Sequence, residues 1–153
     1  MSPKAKRAGK TKVVIDASVA LKWQLDDEEC VSQAVALRDD CLKKSVEMCA
    51  PTLWLYETVN GFIVASRRGR FPSAEVSQAI ADLFAIGVKL RTPDPQRVAA
   101  LALAHEITAY DSAYLALAEQ EGCDLWTGDL AFYRAVGKKL LWVHWIGDYI
   151  EVQ

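Results

Sequence analysis

Val13-Val14-Ile15-Asp16-Ala17-Ser18-Val19-Ala20-Leu21 is a β-branched apolar run that breaks at one acid and resumes as a short helical segment. Val13 to Ile15 suits a strand, and Ala-Ser-Val-Ala-Leu suits a helix capped by Ser18, so the opening unit reads strand, turn, helix. Asp16 is thereby placed at the carboxyl end of a strand.

Working outward, residues 26–44 carry a helical pattern with Asp26, Asp27, Glu28 and Glu29 in the first turn and Lys43 and Lys44 in the last, as the helix macrodipole favours. A short strand over 47–50 stops at Pro51, and Thr52 caps a helix running to Arg68 and closed by Gly69. A further helix is expected over 73–88. Pro93 and Pro95 bracket a loop, followed by Ala/Leu-rich helices over 96–106 and 109–121, the second ended by Gly122. Residues 124–127 form a strand that passes through Gly128 and Asp129 into a helix ending near Gly137, and 140–144 is the last strand. Short apolar strands separated by helices predict an α/β protein with a central, mainly parallel sheet covered on both faces.

At 153 residues, 52% of them hydrophobic, the chain suffices for one domain over residues 13–153 with a core that needs no staples. The four cysteines, Cys30, Cys41, Cys49 and Cys123, show no C-x-x-C spacing and have only His105 and His144 to join them, which argues against structural zinc. They read as reduced thiols of a cytoplasmic protein. Residues 1–12 hold Lys4, Lys6, Arg7, Lys10 and Lys12 and no acid, a basic tail without the apolar stretch of a secretion signal. With −2 on the whole chain, the remaining 141 residues carry −7, which counts against a simple electrostatic nucleic-acid binder. The tail reads as a solubilising terminus or as an arm that touches nucleic acid. No apolar run is long enough for a membrane span.

Four acids stand out. Ligands of open α/β sheets bind beyond the carboxyl ends of the strands, and both Asp16 and Asp129 fall there. Leu53, Glu57, Asn60 and Val64 share one helix face, so a carboxylate and an amide interrupt an apolar stripe. Burying an unpaired carboxylate costs several kcal/mol, so Glu57 needs a partner, a raised pKa or a wet cleft. Each acid also has a plain structural role available. Asp16 and Asp129 suit an Asx-turn and an N-cap, Asp111 suits a Thr108-x-x-Asp111 capping box, and Glu57 suits a salt bridge to Arg67 or Arg97. Four converging carboxylates repel one another unless a hard divalent cation neutralises them, and an all-oxygen set points to Mg²⁺ or Mn²⁺. Such a site suits phosphodiester hydrolysis. Thr127 and Ser18 are placed to hydrogen-bond a carboxylate or the attacking water, and Asn60 to orient Glu57.

The segments Val14-Ile-Asp-Ala-Ser-Val-Ala-Leu-Lys-Trp23, Tyr56-Glu-Thr-Val-Asn60, Tyr110-Asp-Ser-Ala-Tyr-Leu-Ala-Leu-Ala118 and Leu125-Trp-Thr-Gly-Asp129 occur in that order. As an ordered set they resemble a PIN-domain nuclease of the VapC toxin type, over residues 13–150. The resemblance implies a three-layer α/β/α fold, a Mg²⁺- or Mn²⁺-dependent endoribonuclease, a homodimer and inhibition by a small antitoxin. By position it implies that Asp16, Glu57, Asp111 and Asp129 are the metal-binding and catalytic acids, with Thr127 as the hydroxyl two residues before the last of them. Asn60 matches an amide that follows the glutamate. Asp129 either ligates directly or acts through water.

Arg67, Arg68 and Arg70 cluster at a helix end and Lys138 and Lys139 precede the last strand, so these groups suit RNA phosphates or the helix C-terminus equally. Trp23, Trp54, Trp126, Trp142 and Trp145 read as core or interface in preference to base-stacking platforms. A haloacid-dehalogenase-like phosphatase is disfavoured because Asp16 is followed by Ala17 and Ser18, with no second aspartate. A receiver domain is disfavoured because Lys138 and Lys139 lack a following proline. The competing reading is a catalytically silent PIN-like module that binds RNA or protein.

Overall fold

The structure is a computed structural model that describes residues 10–153. Most of the expected basic tail, residues 1–9, lies outside the described residues; Thr11 and Lys12 already belong to the first strand, where Lys12 pairs with Glu121 at 3.5 Å.

Five strands, β1 (Thr11–Ile15), β2 (Val46–Pro51), β3 (Lys89–Arg91), β4 (Asp124–Thr127) and β5 (Val143–Trp145), form one sheet in the order β3-β2-β1-β4-β5, and every pairing is parallel. Val14 sits opposite Cys49 on one side and Leu125 on the other. Val14, Ile15, Met48, Ala50 and Leu125 are fully buried, so the central strands are covered on both faces and read as continuous apolar runs. Seven helices flank the sheet: α1 (Ala17–Leu21), α2 (Val31–Leu42), α3 (Leu53–Arg67), α4 (Val76–Ala85), α5 (Pro95–His105), α6 (Ala109–Glu121) and α7 (Leu130–Val136). The three-layer α/β architecture expected from the sequence is the one the chain adopts.

Local departures have local causes. The acids 26–29 do not open α2; they lie in turns, and Cys30 enters the helix from a left-handed φ of 57°. The helix expected over 73–88 is a 3-10 turn at Ser73–Glu75 followed by α4, and Gly87 at φ 89° leads into β3. That strand, Lys-Leu-Arg, is three residues long and carries no apolar run, so its sequence did not announce it. Thr52 makes no capping hydrogen bond, and the last strand begins at Val143 instead of Leu140.

The chain lays β1, β2 and β3 to one side, then returns to place β4 and β5 on the other. The connections out of β1 and β4 therefore diverge, opening a crevice at their carboxyl ends. Gly61 brings a third element to that crevice. A methyl on its Cα would lie 2.5 Å from Leu21 Cδ1, so α3 approaches α1 more closely than a side chain there permits. Glu57, one turn earlier on the same face of α3, is thus directed toward the segment that begins with Asp16.

Candidate active site

Asp16 ends β1 and is itself the N-cap of α1, accepting from the Val19 N–H at 3.3 Å; the cap is not Ser18, as the sequence suggested. The Ser18 hydroxyl instead donates to Asp16 Oδ1 while accepting from the Gly128 N–H at 2.7 Å. The Thr127 hydroxyl mirrors it, donating to Asp16 Oδ2 and accepting from the Asp129 N–H at 3.0 Å. Both hydroxyl protons are thereby committed to the carboxylate, and the loop after β4 is stitched to the end of β1. Asp16 is buried, and burial pushes its carboxyl up to about 6 against the pull of these hydrogen bonds, with the Asp129 charge adding to the rise.

Asp129 is the N-cap of α7, accepting from the Phe132 N–H at 3.1 Å, and Asp111 lies in the first turn of α6, where its backbone N–H donates to Thr108 Oγ1 at 3.1 Å. The N-cap foreseen for Asp129 is real, while of the capping box foreseen for Asp111 only the Thr108 half forms, and both coexist with convergence. Burial, then the Asp129 charge, then the Glu57 charge raise Asp111 above the usual carboxylate range. Asp16, Glu57, Asp111 and Asp129 therefore lie in one electrostatic neighbourhood. The positive end of α6 partly offsets their repulsion.

Glu57 has neither of the arginines proposed for it. Arg97 is held by Glu119 at 2.5 and 2.9 Å, and Glu57 Oε1 instead accepts from the Tyr114 hydroxyl at 2.5 Å. Tyr114 is buried on α6, three residues after Asp111, and burial followed by the Glu57 charge holds its phenol firmly protonated. Sequence reasoning missed it, although a lone hydroxyl within the otherwise apolar buried stretch Ala113–Ala118 was a usable signal. Lys22, enclosed at 3% exposure, was missed as well. Glu57 and Asn60 line a cleft of about 310 Å³ with Leu21, Leu25, Glu28, Gly61, Val64 and Arg70.

Of the basic groups, Arg70 is committed to Asp27 (2.7 and 2.9 Å) and to Glu28 (2.6 Å), while Arg67, Arg68, Lys138 and Lys139 are exposed. All five tryptophans are at least half-buried; Trp126, for example, stacks on His144 with ring centroids 4.7 Å apart. The exposed aromatics are Tyr56, Phe84 and Tyr110, and the two tyrosines each stand immediately before a site acid.

Among the described residues, no three carboxylate, imidazole or thiol groups are gathered tightly enough to ligate one ion as they stand. The donor set nevertheless fits a hard cation. It is all oxygen, and Asp16 and Asp111 are both raised by burial and like charge, the condition that a divalent ion relieves.

A strand-end aspartate, two further acids on helices and a hydroxyl-braced loop at the switch point of a parallel sheet place this chain among α/β proteins with an acidic rim. The PIN domain family model matches residues 13–138, and the chain belongs to that family. Within it the chain is 32% identical over 122 residues to Ribonuclease VapC3 of Pyrobaculum aerophilum, covering 77% of this chain and 89% of the relative. The fold is similar to that of PAE2754 from Pyrobaculum aerophilum, with a TM-score of 0.66, 20% identity and coverage of 90% of this chain and 92% of that one. It is also similar to Mycobacterium tuberculosis VapC20, described as a sarcin-ricin loop cleaving toxin, with a TM-score of 0.56, 14% identity and coverage of 92% and 98%. The resemblance to a PIN domain of the VapC type, first read from four short motifs, is thus borne out.

Proposed function

We propose that this chain is a metal-dependent endoribonuclease that hydrolyses RNA phosphodiester bonds at the rim formed by Asp16, Glu57, Asp111 and Asp129, and that it is the toxin of a toxin–antitoxin pair. The observation that carries the reading is the shared field of these acids: burial lifts both Asp16 and Asp111, and like charge adds to it, Asp129 acting on both and Glu57 on Asp111. Support for RNA as substrate and for an antitoxin partner comes from the VapC relatives, one named a ribonuclease and one a toxin.

Mg²⁺ or Mn²⁺, when bound, would supply Lewis acidity and an activated water. Asp16 and Asp111 would be ligands, with the half-buried Glu57 and the exposed Asp129 completing the set, Asp129 either directly or through water. Ser18 and Thr127 fix both oxygens of Asp16; Oδ1 also accepts from Val19, whereas Oδ2 accepts from Thr127 alone and keeps acceptor capacity for an ion. Tyr114 holds Glu57 by one oxygen, leaving the other for the ion or the water. Arg67 and Arg68, with Lys138 and Lys139, supply exposed cations for RNA phosphates around an acidic centre. Asn60 borders the same cleft as Glu57 and steadies it or the substrate. A homodimer acting in the cytoplasm completes the reading; no helix of the described residues is long and apolar enough to cross a membrane.

The test is cleavage of total cellular RNA by the purified protein with Mg²⁺, with Mn²⁺ and with chelator, beside the double variant D16N/D111N. Metal-dependent products from the wild type and none from the variant are expected. Undiminished cleavage by the variant overturns the assignment of the site, and RNA or partner binding without any cleavage replaces it with the silent module. Growth arrest on overproduction, relieved by the neighbouring small open reading frame, tests the toxin role.

A further inference from the structure

We infer that Lys22 is a resident counter-charge of the acidic rim, a positioning residue whose buried ammonium offsets the mutual repulsion of Asp16 and Asp129. This inference rests on the divalent-cation reading of the site.

Among the described residues Lys22 is the one buried cationic side chain. It caps the carboxyl end of α1, six residues after Asp16, and its stem lies across Gly128. A methyl on Gly128 would sit 2.4 Å from Lys22 Cε and 3.2 Å from Ser18 Oγ, so the lysine stem occupies the space that a side chain at residue 128 would take. Gly128 precedes Asp129, and its N–H is bound by the same Ser18 hydroxyl that donates to Asp16. The cation is thereby enclosed against the turn that carries Asp129 and is bound through Ser18 to Asp16.

Its ion-pair partner does not neutralise it fully. Lys22 Nζ stands 3.7 Å from Glu28 Oε1, beyond hydrogen-bond range, whereas Arg70 takes Glu28 Oε2 at 2.6 Å. Glu28 is therefore shared between two cations, and the shorter contact belongs to Arg70. The uncompensated part of the Lys22 charge acts through a poorly screened interior on the rim beside it, where Gly128 adjoins Asp129 and is tied through Ser18 to Asp16. An ordinary buried ion pair with Glu28 would have no such effect. The two roles therefore give different outcomes for metal binding.

The experiment measures Mn²⁺ affinity directly, from the electron paramagnetic resonance signal of free Mn²⁺, together with the gain in Tm on adding Mn²⁺. Four full-length proteins are compared: wild type, K22M, E28Q and K22M/E28Q, each checked by circular dichroism. The last two isolate Lys22 in a background where no ion pair is broken, and they decide the matter if K22M does not fold. Removing a resident counter-charge is expected to tighten Mn²⁺ binding about threefold to tenfold and to enlarge the Tm gain, the size expected of a unit charge at several ångströms. The same ratio is expected between K22M/E28Q and E28Q. Unchanged or weaker Mn²⁺ binding on losing Lys22, in a wild type that does bind Mn²⁺, overturns the inference and leaves the metal site standing. A wild type with no Mn²⁺ response overturns both.

Discussion

The Tyr114 hydroxyl donates to Glu57 Oε1 at 2.5 Å, joining α6 to α3 across the mouth of the crevice. It resolves how a carboxylate survives on an otherwise apolar helix face: the partner is a neutral phenol, so Glu57 keeps its charge for the site instead of surrendering it to an arginine. Tyr114→Phe removes one hydrogen bond to a charged group that water in the cleft partly replaces. A stability loss of about 1 kcal/mol is expected by urea denaturation. Cleavage is expected to fall more steeply, by about tenfold to a hundredfold in kcat, because a misplaced catalytic group is penalised more than a lost contact.

The contribution of Asp16 to metal-free stability is expected to decline as pH rises through the range of about 4 to 6. Asp16 is raised to about 6 in the folded protein from 3.8, so the native state holds its proton more tightly than the unfolded chain does. The resulting penalty is absent below the unfolded value and complete above the folded one. At 1.36 kcal/mol per unit it reaches about 3 kcal/mol. Asp16→Asn should remove that slope, making the variant more stable than wild type at pH 7.5 in chelator and no more stable at pH 4. Denaturation curves of both proteins at the two pH values test this, and a difference between them that does not change with pH contradicts it.

Gly128→Ala sets a methyl into the path of Lys22 Cε. The far end of a lysine ordinarily yields at little cost, but this one is enclosed and shares Glu28 with Arg70. A loss of about 1 to 3 kcal/mol is expected, as for other overpacked sites. Because the displaced turn carries Thr127 and Asp129, cleavage should fall by more than the change in Tm would suggest. Wild-type cleavage in a folded variant would show the turn to be more tolerant than this packing implies.

Asp40 is fully buried on α2 and accepts from the Tyr149 hydroxyl at 2.6 Å and the Val152 N–H at 2.8 Å, pinning the end of the chain to the helix layer. Asp40→Ala leaves a buried phenol and a backbone donor without their acceptor, at a cost of about 2 to 4 kcal/mol. This site lies away from the rim, so kcat for RNA cleavage below the melting range should be unchanged. A large fall in kcat with intact structure would connect the two.

Much of the architecture was legible because it rests on strong periodic signals. Val13-Val14-Ile15 and Leu125 mark a sheet buried on both faces, and the positive-φ glycines Gly69 and Gly122 close helices where expected. The short edge strand Lys89–Arg91 was not legible, since its pairing with Cys49, Ala50 and Pro51 is decided by the neighbour and not by its own residues. At the site, acids at strand ends could be placed from the sequence, whereas their partners could not. Tyr114 and Glu57 are 57 residues apart, Thr127 and Asp16 are 111 apart, and no local pattern links either pair. Ser18 was assigned to the wrong role for a related reason. As a short hydroxyl near a helix start it suits a cap, but the fold brings it Gly128, a better use for its acceptor.

The strand order places β4 beside β1 only after the chain has travelled the full width of the sheet and come back. Asp16 is among the first described residues to be synthesised, yet its hydroxyl brace from Thr127 and its neighbour Asp129 arrive from the last fifth of the chain. A partly made or truncated chain ending before β4 holds acids without a site. In the proposed nuclease this topology is a timer, leaving the site unassembled until nearly the whole chain has been made.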